Sequence, residues 1–467
     1  MLAYLMNLSI KITRRKVMKT QVAIIGGGPG GTTAAMYLLR QGITPVIIEK
    51  ESFPRYRIGV SMTGECGAVL RDLGLGMDMI ERKHPVKHGV KVFGKHPWFL
   101  PVMARTAEGK LMDQTTWQVR RSDFDKMMLD EAVKRGAILV NGQATDPILN
   151  ENGKLVGLHV RKGDGTGMMQ IESDLVMDFS GGATFLATKG VTGPKYLGNY
   201  DRQIAIFSQI KNGIRDNGTA RDEQNGNTLI FYRQKYHWAW WIPIDDEVTS
   251  VGVVTPASYF MEQNISKEEF LKQELHKIHP ELTSRIPDVT LVEETRVIKN
   301  YSYQVKQFCG DGYMAFGDAH RFVDPIFSFG MYVTMKEAQI AAPYVKRYLN
   351  GELPKEGNPF EEYQIKVEKA IDVLEDALDG FWEHPFAFAM LVYNRYVDQM
   401  IDIFAGRIYE NQPSEAVTAF RKLLKRERTY DSDIYSVPIG SRYHSERAPI
   451  WVEDQSDVEE MNRLLSL

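Results

Sequence analysis

The spacing of apolar positions changes early in the chain from a strand pattern to a helix pattern and back. Residues 21–25 form a short apolar run, and the glycine-rich residues 26–31 follow it directly. A helical pattern then extends to Gln41, and a second apolar run over 45–48 ends at Glu49. A strand, a glycine-rich loop, a helix and a second strand in this order predict a βαβ unit.

The middle of the chain alternates short apolar segments with glycine turns. Residues 157–161 and 175–178 are predicted strands that follow this βαβ unit. Longer runs over 204–210, 228–241 and 248–254 have no helical segment between them. They predict a second, antiparallel sheet.

The pattern becomes helical after Gly330. Apolar positions recur at spacings of three and four over 333–349, 360–382 and 415–428, which predicts three helices. Residues 429–449 are rich in Ser, Tyr and Pro and predict an irregular surface tail.

These elements predict an α/β fold in three parts. Residues 1–17 are an N-terminal extension. Residues 18–335 form a Rossmann-type dinucleotide-binding module, interleaved with an inserted antiparallel sheet on the substrate side drawn from about 85–115 and 190–300. Residues 336–467 form a helical region that caps the substrate side.

Composition and charge narrow the class of protein. The net charge of -3 provides no positive field for a polyanion, so nucleic acid is not an expected partner. No apolar run reaches the ~18 residues that cross a bilayer, so no membrane partner is expected. The two cysteines, Cys66 and Cys309, are too few for a disulfide framework or a cysteine-based metal site, and they favour reduced thiols in the cytoplasm.

Two histidine pairs have the spacing of metal ligands. His84 and His88 would lie on one helix face, but Pro85 disfavours a helix there. His276 and His279 are close in sequence without any further candidate ligand. We predict no metal site.

The glycine-rich loop has the pattern Gly26-x-Gly28-x-x-Gly31. Gly26 permits a tight turn, Gly28 lets the backbone approach a pyrophosphate, and Gly31 lets helix and strand pack closely. Glu49 follows at the end of the second strand, where a carboxylate can bond ribose hydroxyls. The loop therefore predicts a bound dinucleotide.

Three later motifs point to a particular kind of dinucleotide enzyme. They are the run HWAWWIP over 237–243, the pair Gly317–Asp318, and the pattern F-x-x-P-x-x-S-x-G over 322–330. Together with the phosphate loop, they resemble the flavin-dependent halogenases, which oxidise halide with reduced flavin and oxygen. The resemblance extends over most of residues 20–335.

The resemblance implies FAD as the cofactor and assigns residues to it. Asp318 would bond the ribityl chain, and Arg121 would approach the cofactor. Pro325 and Gly330 belong to a turn that opens a helix towards the flavin. The backbone N–H groups of Phe329 and Gly330 would hold the halide, since consecutive N–H groups at a helix start can bind a small anion.

A strand places Trp238 and Trp240 on one face, because successive side chains alternate. Two large aromatic residues at this spacing can simply fill a sheet core. In the resembled family, the corresponding tryptophans lie beside the flavin and block the organic substrate, while the small hypohalous acid, HOX, passes.

A lysine that holds HOX is also implied by the resemblance. The segment over 86–94, V-K-H-G-V-K-V-F-G, is similar to the context of this lysine in phenol-type members. Lys87 is the residue we assign, with Lys83 and Lys91 as the alternatives. Burial can tune the pKa of a lysine for this role, whereas most lysines lie at the surface.

The chain departs from the family pattern in two places. Many members have Gly-Glu-Ser-Leu-Leu-Pro where residues 59–64 read G-V-S-M-T-G, although Glu65 could supply the acid after a local shift. Tryptophan-specific members carry a glutamate where this chain has Phe327. We therefore expect a substrate that its own oxygen or nitrogen activates, such as a free small phenol.

The expected protein is a halogenase that uses FADH2, oxygen and halide to form HOX, which Lys87 delivers to a phenol-like aromatic ring. A separate NAD(P)H-dependent flavin reductase would supply FADH2, since one dinucleotide loop is visible. The choice among chloride, bromide and iodide stays open, as does a homo-oligomeric state. The alternatives are an FAD-dependent aromatic monooxygenase or geranylgeranyl-reductase-like flavoenzyme, and a flavin-binding protein without turnover.

Overall fold

The computed structural model describes residues 17–198, 200, 203–234, 236–299, 302–409 and 414–424. The predicted extension up to residue 16 and the predicted tail over 429–449 lie outside the described residues. Val17, which we placed in the extension, already begins the first strand.

The strands in chain order are β1 (Val17–Ile25), β2 (Val46–Glu49), β3 (Val86–Lys87), β4 (Gly89–Phe93), β5 (Trp98–Pro101), β6 (Met103–Arg105), β7 (Leu111–Asp113), β8 (Thr116–Trp117), β9 (Ile138–Leu149), β10 (Leu155–Lys162), β11 (Met168–Asp178), β12 (Lys195–Leu197), β13 (Gln203–Lys211), β14 (Thr228–Gln234), β15 (His237–Pro243), β16 (Thr249–Pro256), β17 (Thr290–Leu291), β18 (Arg296–Lys299), β19 (Tyr303–Val305), β20 (Cys309–Gly310), β21 (Tyr313–Ala315) and β22 (Arg321–Phe322).

The helices lie both between the strands and together at the C-terminal end of the described chain. In chain order they are α1 (Pro29–Arg40), α2 (Gly64–Asp72), α3 (Gly76–Glu81), α4 (Arg121–Lys134), α5 (Phe185–Thr188), α6 (Ala257–Gln263), α7 (Lys267–Lys277), α8 (Pro280–Arg285), α9 (Gly330–Leu349), α10 (Glu361–Glu383), α11 (Pro385–Met390), α12 (Val397–Ala405) and α13 (Glu415–Leu423). A π-helical turn over Leu391–Arg395 joins α11 to α12.

The first sheet is built around parallel strands. β9, β2, β1, β11 and β21 run parallel in this order. β10 pairs antiparallel with β9 and β11, and β20 pairs antiparallel with β21. Because α1 connects β1 to its parallel neighbour β2, the predicted βαβ unit is confirmed.

The second sheet has the order β17-β13-β16-β15-β14-β4-β5, with β18 also pairing with β13. Its strands are antiparallel except for β14 and β4, which run parallel. The run predicted over 228–241 forms two strands that pair from Leu229 with Trp241 to Gln234 with His237. The inserted sheet is therefore mixed rather than wholly antiparallel.

The two faces of β15 belong to different cores. Trp238, Trp240 and Ile242 pack into the main core with the first sheet and the C-terminal helices. Ala239 and Trp241 pack into a separate cluster with the buried apolar residues of α7. This alternation is what the strand pattern of β15 predicts.

The predicted C-terminal helices correspond to α9, α10 and α13. Each observed helix starts within three residues of its prediction, and the residues after 424 are not described. No helix in the described ranges is long and apolar enough to cross a bilayer. The structure thus has the predicted α/β class, with a Rossmann-type module, an inserted second sheet and a helical C-terminal region.

Candidate active site

The loop after β1 is shaped by two glycines that cannot carry a side chain. Gly26 has a φ of 104°, and a Cβ atom added to it would lie 2.5 Å from the Phe179 carbonyl oxygen. A Cβ added to Gly31 would lie 2.0 Å from the Gly26 carbonyl oxygen. At Gly28, by contrast, an added Cβ would meet only the Arg55 Nη2, at 3.6 Å. The loop therefore packs tightly behind Gly28 and leaves open space in front of it, as a pyrophosphate requires.

Glu49 is the buried carboxylate that ends β2. Its Oε2 accepts a hydrogen bond from the Gly27 N–H at 2.7 Å, and its Oε1 accepts one from the Glu51 N–H at 2.8 Å. Each carboxylate oxygen has a second lone pair. Glu49 therefore fixes the phosphate loop, and its remaining lone pairs can accept ribose hydroxyls.

Arg55 stands beside the phosphate loop and was not among the residues that the sequence analysis assigned to the cofactor. It lies 3.3 Å from Asp125, 3.4 Å from Glu51 and 3.9 Å from Glu49. The buried Nε and Nη1 atoms nevertheless have no hydrogen-bond partner in the described structure. Its position in the basic loop soon after Glu49 was the available signal. Its side chain stands over Gly28, where it can donate to a pyrophosphate.

Arg121 begins α4 and is held in a fixed orientation. Its Nε donates to Asp125 at 2.6 Å, its Nη2 donates to the same carboxylate at 2.9 Å, and its Nη1 donates to the Ile58 carbonyl oxygen at 2.6 Å. Its charge also acts on Asp318, where it opposes the rise in pKa caused by burial. The Arg121 charge is therefore near enough to favour the ionised form of the Asp318 carboxyl group.

Asp318 follows Gly317, whose φ of 52° turns the chain out of β21. Burial raises the pKa of the Asp318 carboxyl to about 6, and a Cβ added to Gly330 would lie 3.9 Å from its Oδ1. The carboxyl group has no hydrogen-bond partner among the described residues. Asp318 and the start of α9 are therefore neighbours, and this carboxylate can accept a ribityl hydroxyl.

The turn before α9 presents two backbone donors. The Ser328 N–H donates to the Pro325 carbonyl oxygen at 3.0 Å, and Ser328 has a φ of 63°. The N–H groups of Phe329 and Gly330 follow, and neither has a hydrogen-bond partner in the described ranges. They lie at the positive end of a 20-residue helix, which favours an anion.

Behind this turn, a buried pair ties α9 to the Gly317 turn. The Glu337 Oε2 accepts the Gly317 N–H at 2.7 Å, and the His320 Nε2 lies 3.1 Å from the Glu337 Oε1. Both side chains are almost completely buried. This pair holds Asp318 and the start of α9 in one arrangement.

Trp238 and Trp240 form an aromatic wall on β15. Their ring centroids are 5.8 Å apart, and both rings are buried. The Trp240 Nε1 donates to the Ser250 Oγ at 3.2 Å, whereas the buried Trp238 Nε1 has no partner in the described chain. The two rings share one face, and their role as a barrier stays a prediction.

Lys87 lies in β3 and is 1% exposed. Its Nζ lies within hydrogen-bond distance of the Ser61 Oγ and of the Met62 carbonyl oxygen, each at 2.9 Å. Burial lowers the pKa of Lys87 to about 7. Of the alternatives, Lys83 is exposed and Lys91 forms an ion pair with Asp222 at 2.8 Å. Lys87 is therefore the buried amine among the three lysines.

The altered loop over 59–64 contains no carboxylate. Val60, which the sequence analysis aligned with the glutamate of many halogenases, is buried. Glu65 does not replace it in this arrangement, because its Oε1 pairs with the Arg407 Nη1 at 3.1 Å. The loop instead presents the Ser61 hydroxyl to Lys87.

Phe327 lies in a box of aromatic side chains. Its ring centroid is 4.6 Å from Phe404, 5.3 Å from Phe381, and 6.5 Å from both Trp98 and Phe388. These partners come from the second sheet and from three C-terminal helices. The helical region therefore meets the turn before α9, and its role as a cap on the substrate side stays a prediction.

The residues present fit FAD. Open space lies before Gly28, the Arg55 Nη2 faces that space, and no hydrogen bond to the Asp318 carboxyl group is formed within the described structure. A basic side chain, a pyrophosphate-sized gap and a ribityl acceptor are the groups that this dinucleotide requires.

Comparisons with known proteins identify the family. The FAD binding domain family matches residues 19–357. The chain is 33% identical over 408 residues to the 1H-pyrrole-2-carbonyl-[peptidyl-carrier protein] brominase of Pseudoalteromonas luteoviolacea, which covers 86% of this chain and 96% of the relative. It is 28% identical over 424 residues to the corresponding chlorinase of Pseudomonas fluorescens, which covers 86% and 92%.

A solved structure agrees with these relatives. The flavin-dependent brominase Bmp2 is 34% identical, with a TM-score of 0.80 over 87% of this chain and 98% of the brominase. FAD is thus the cofactor and halide the co-substrate of this protein. The chain belongs to the flavin-dependent halogenase family.

Proposed function

We propose that this halogenase attaches halogen to a small electron-rich aromatic ring, such as a phenol, that its own heteroatom activates. The observation that carries the proposal is the aromatic box around Phe327. Apolar aromatic side chains surround Phe327, and a phenylalanine at this position removes no proton from a substrate ring. The ring must therefore be electron-rich enough to react without a protein base at residue 327.

When bound in reduced form, FAD supplies the electrons with which oxygen converts halide to HOX. The proposed roles of the chain follow from its geometry. The N–H groups of Phe329 and Gly330 hold the halide, and the Trp238 and Trp240 rings keep the aromatic substrate away from the flavin.

Lys87 then holds HOX beside the ring. The Nζ atom forms hydrogen bonds with the Ser61 hydroxyl and the Met62 carbonyl oxygen. One of its N–H groups takes part in neither bond and can donate to HOX. A bond forms between the ring carbon and the halogen as the O–X bond of HOX breaks. The proton lost from the ring combines with the released hydroxide to form water. A separate NAD(P)H-dependent reductase supplies the reduced flavin.

A second candidate is a pyrrole acyl group held on a carrier protein. Two relatives that align over 86% of the chain are named for halogenation of 1H-pyrrole-2-carbonyl-[peptidyl-carrier protein]. A pyrrole meets the same requirement as a phenol, because its nitrogen activates the ring. The two candidates differ in whether the substrate is free or tethered.

Mass spectrometry of a matched substrate panel separates these candidates. The panel contains a phenol, free pyrrole-2-carboxylate, its small thioester and its carrier-protein thioester. Each is incubated with FAD, a flavin reductase, NADH, oxygen and one of chloride, bromide or iodide. Halogenation of the free phenol supports the first candidate, and halogenation confined to the carrier-protein thioester supports the second.

Variants test the role of the lysine in the same assay. Lys87→Met is expected to abolish the halogen mass shift, whereas Lys91→Met, the matched variant at an ion-paired lysine, is expected to retain it. Addition of oxygen without halogen to the panel would contradict the proposed function, and so would full halogenation by Lys87→Met.

A further inference from the structure

A row of hydrogen-bonding side chains continues from Lys87 into the second sheet. The Ser61 Oγ lies 2.9 Å from the Lys87 Nζ and 2.9 Å from the Thr228 Oγ1. The Gln118 Nε2 donates to the same Thr228 oxygen at 2.9 Å. All four residues are buried, so these contacts are made away from bulk water.

Gln118, at the end of this row away from Lys87, can act only as a hydrogen-bond donor to Thr228. The Gln118 Nε2 lies 2.9 Å from the Gly226 carbonyl oxygen as well as 2.9 Å from the Thr228 hydroxyl. A carbonyl oxygen can only accept, so the amide atom that faces it must be the nitrogen. Gln118 therefore donates to Thr228 and cannot accept from it.

The direction of the remaining bonds follows from this end. Thr228 accepts from Gln118, so its own proton goes to the Ser61 oxygen, which is its other partner. The Ser61 proton then goes to the Lys87 Nζ, which must present a lone pair. In this direction, both hydroxyl protons have an acceptor.

An ammonium at Lys87 breaks this order. It can only donate, so Ser61 must accept from it. One hydroxyl proton, on either Ser61 or Thr228, is then left without an acceptor among the described residues. A buried donor without a partner costs about 1–3 kcal/mol.

Charged neighbours do not offset this cost. The titratable group that acts on Lys87 is the Cys66 thiol on α2, and burial raises the pKa of that thiol to about 12. It is therefore uncharged at neutral pH. Within the described chain, no carboxylate lies in salt-bridge contact with Lys87.

We propose that a one-way chain of hydrogen bonds from Gln118 through Thr228 and Ser61 holds Lys87 as a neutral amine. Gln118, Thr228 and Ser61 are then positioning residues for halogen transfer, which rests on the proposed role of Lys87. A neutral amine differs from an ammonium in its chemistry, since its lone pair becomes available to HOX once the Ser61 hydroxyl rotates.

The ¹⁵N chemical shift of the Lys87 Nζ, followed with pH in the FAD-loaded protein, tests this directly. The signal is assigned by its loss in Lys87→Met. The wild type should change from ammonium to amine near pH 7, in line with the burial of this side chain. Persistence of the ammonium through pH 9 would overturn the proposal, and this measurement needs no variant of the row.

Gln118→Glu converts the far end from a donor to an acceptor of nearly the same shape. Both hydroxyls can then reverse, and the midpoint should rise by about one pH unit or more. The new carboxylate could also act through its charge alone. Thr228→Val, added to Gln118→Glu, removes the hydroxyl that connects residue 118 to Ser61 and should cancel most of the rise in the Lys87 midpoint. Thr228→Ser, added to the same variant, keeps a hydroxyl and should keep the rise.

An equal rise in the Thr228→Val and Thr228→Ser backgrounds would assign the effect to charge and refute the row. The pH dependence of halogenation should follow the same midpoints. If Lys87→Met still halogenates, the proposed role of Lys87 in catalysis is wrong, but the NMR midpoints still test whether the hydrogen-bond chain controls its protonation. If the midpoints do not move in the Gln118→Glu variant, the hydrogen-bond chain is refuted, but a loss of halogenation in Lys87→Met still supports the proposed function.

Discussion

Gly252 leaves the space that the Trp240 indole fills. The two residues are paired across β16 and β15, and a Cβ added to Gly252 would lie 2.3 Å from the Trp240 Cη2 and 2.6 Å from the Phe207 Cβ. The position of the aromatic wall therefore depends on the absence of a side chain on the neighbouring strand.

Gly252→Ala is expected to displace the Trp240 ring, because the added Cβ would lie 2.3 Å from a buried indole. Overpacking of this kind lowers the free energy of unfolding by about 1–3 kcal/mol. Chemical denaturation and tryptophan fluorescence measure the two effects. Gly76→Ala is the matched control, since an added Cβ there meets only Arg71 Cγ at 3.6 Å. Equal stability of the two variants would contradict the prediction.

Lys87 should make the stability of the protein depend on pH. Burial lowers its pKa to about 7 in the folded protein, from the value of 10.5 that is ordinary for an exposed lysine. Between these values, the unfolded chain binds a proton that the folded chain does not. The free energy of unfolding of the wild type should therefore rise with pH, by about 1.4 kcal/mol per unit between pH 7 and 10.

Lys87→Met lacks this dependence, so it should be more stable than the wild type near pH 7 and lose that advantage as the pH rises. Urea denaturation at pH 7, 8 and 9 measures the difference. Lys91→Met replaces a lysine that is paired with Asp222, and it should retain the slope of the wild type. Parallel slopes for Lys87→Met and the wild type would show that Lys87 is not a buried neutral amine.

Phe327→Ala should open a cavity between the turn before α9 and the helical region. Phe327 is 3% exposed, and truncation of a buried phenylalanine costs about 3–5 kcal/mol. Phe386→Ala makes the same substitution at a side chain that is 45% exposed, where about 0.5 kcal/mol or less is expected. Denaturation curves for both variants decide whether the box holds the helical region in place. A small loss for Phe327→Ala would mean that the box closes up around the gap.

Local patterns in the sequence were enough to predict the phosphate loop, the alternation along β15 and the C-terminal helices. Each depends on residues that are close in sequence, such as Gly26 and Gly31, or Trp238 and Trp240. The parallel pairing of β14 with β4 could not be predicted in this way. It joins segments about 140 residues apart, and its register depends on packing rather than on either segment alone.

The contacts around Lys87 could not be predicted from the sequence either. Ser61 and Thr228 are 167 residues apart, and their contact follows from the meeting of a loop with the second sheet. The burial of Lys87, which distinguishes it from Lys83 and Lys91, is likewise a tertiary property. The resemblance to a family singled out Lys87 as the candidate, whereas its burial and its partners had to be observed.

Arg55 is expected to be a main source of affinity for FAD. It is 12% exposed, its Nη2 stands over Gly28, and its Nε and Nη1 face the Glu51 and Asp125 carboxylates at 3.4 Å and 3.3 Å. Hydrogen bonds to a charged group contribute about 1.5–3 kcal/mol, so Arg55→Met should weaken FAD binding by roughly 10- to 150-fold. Arg57→Met removes a neighbouring arginine that is 44% exposed and should leave the affinity within about twofold.

Flavin fluorescence titration of both variants gives the two dissociation constants, and circular dichroism shows whether each variant is folded. Arg55 also lies near three carboxylates, so its loss could weaken the site by leaving them unbalanced. Arg55→Lys separates the two effects, because it keeps the charge but loses the fork of donors. An Arg55→Lys variant that binds FAD like the wild type would assign the role to charge, and an Arg55→Met variant that does so would remove Arg55 from the cofactor site.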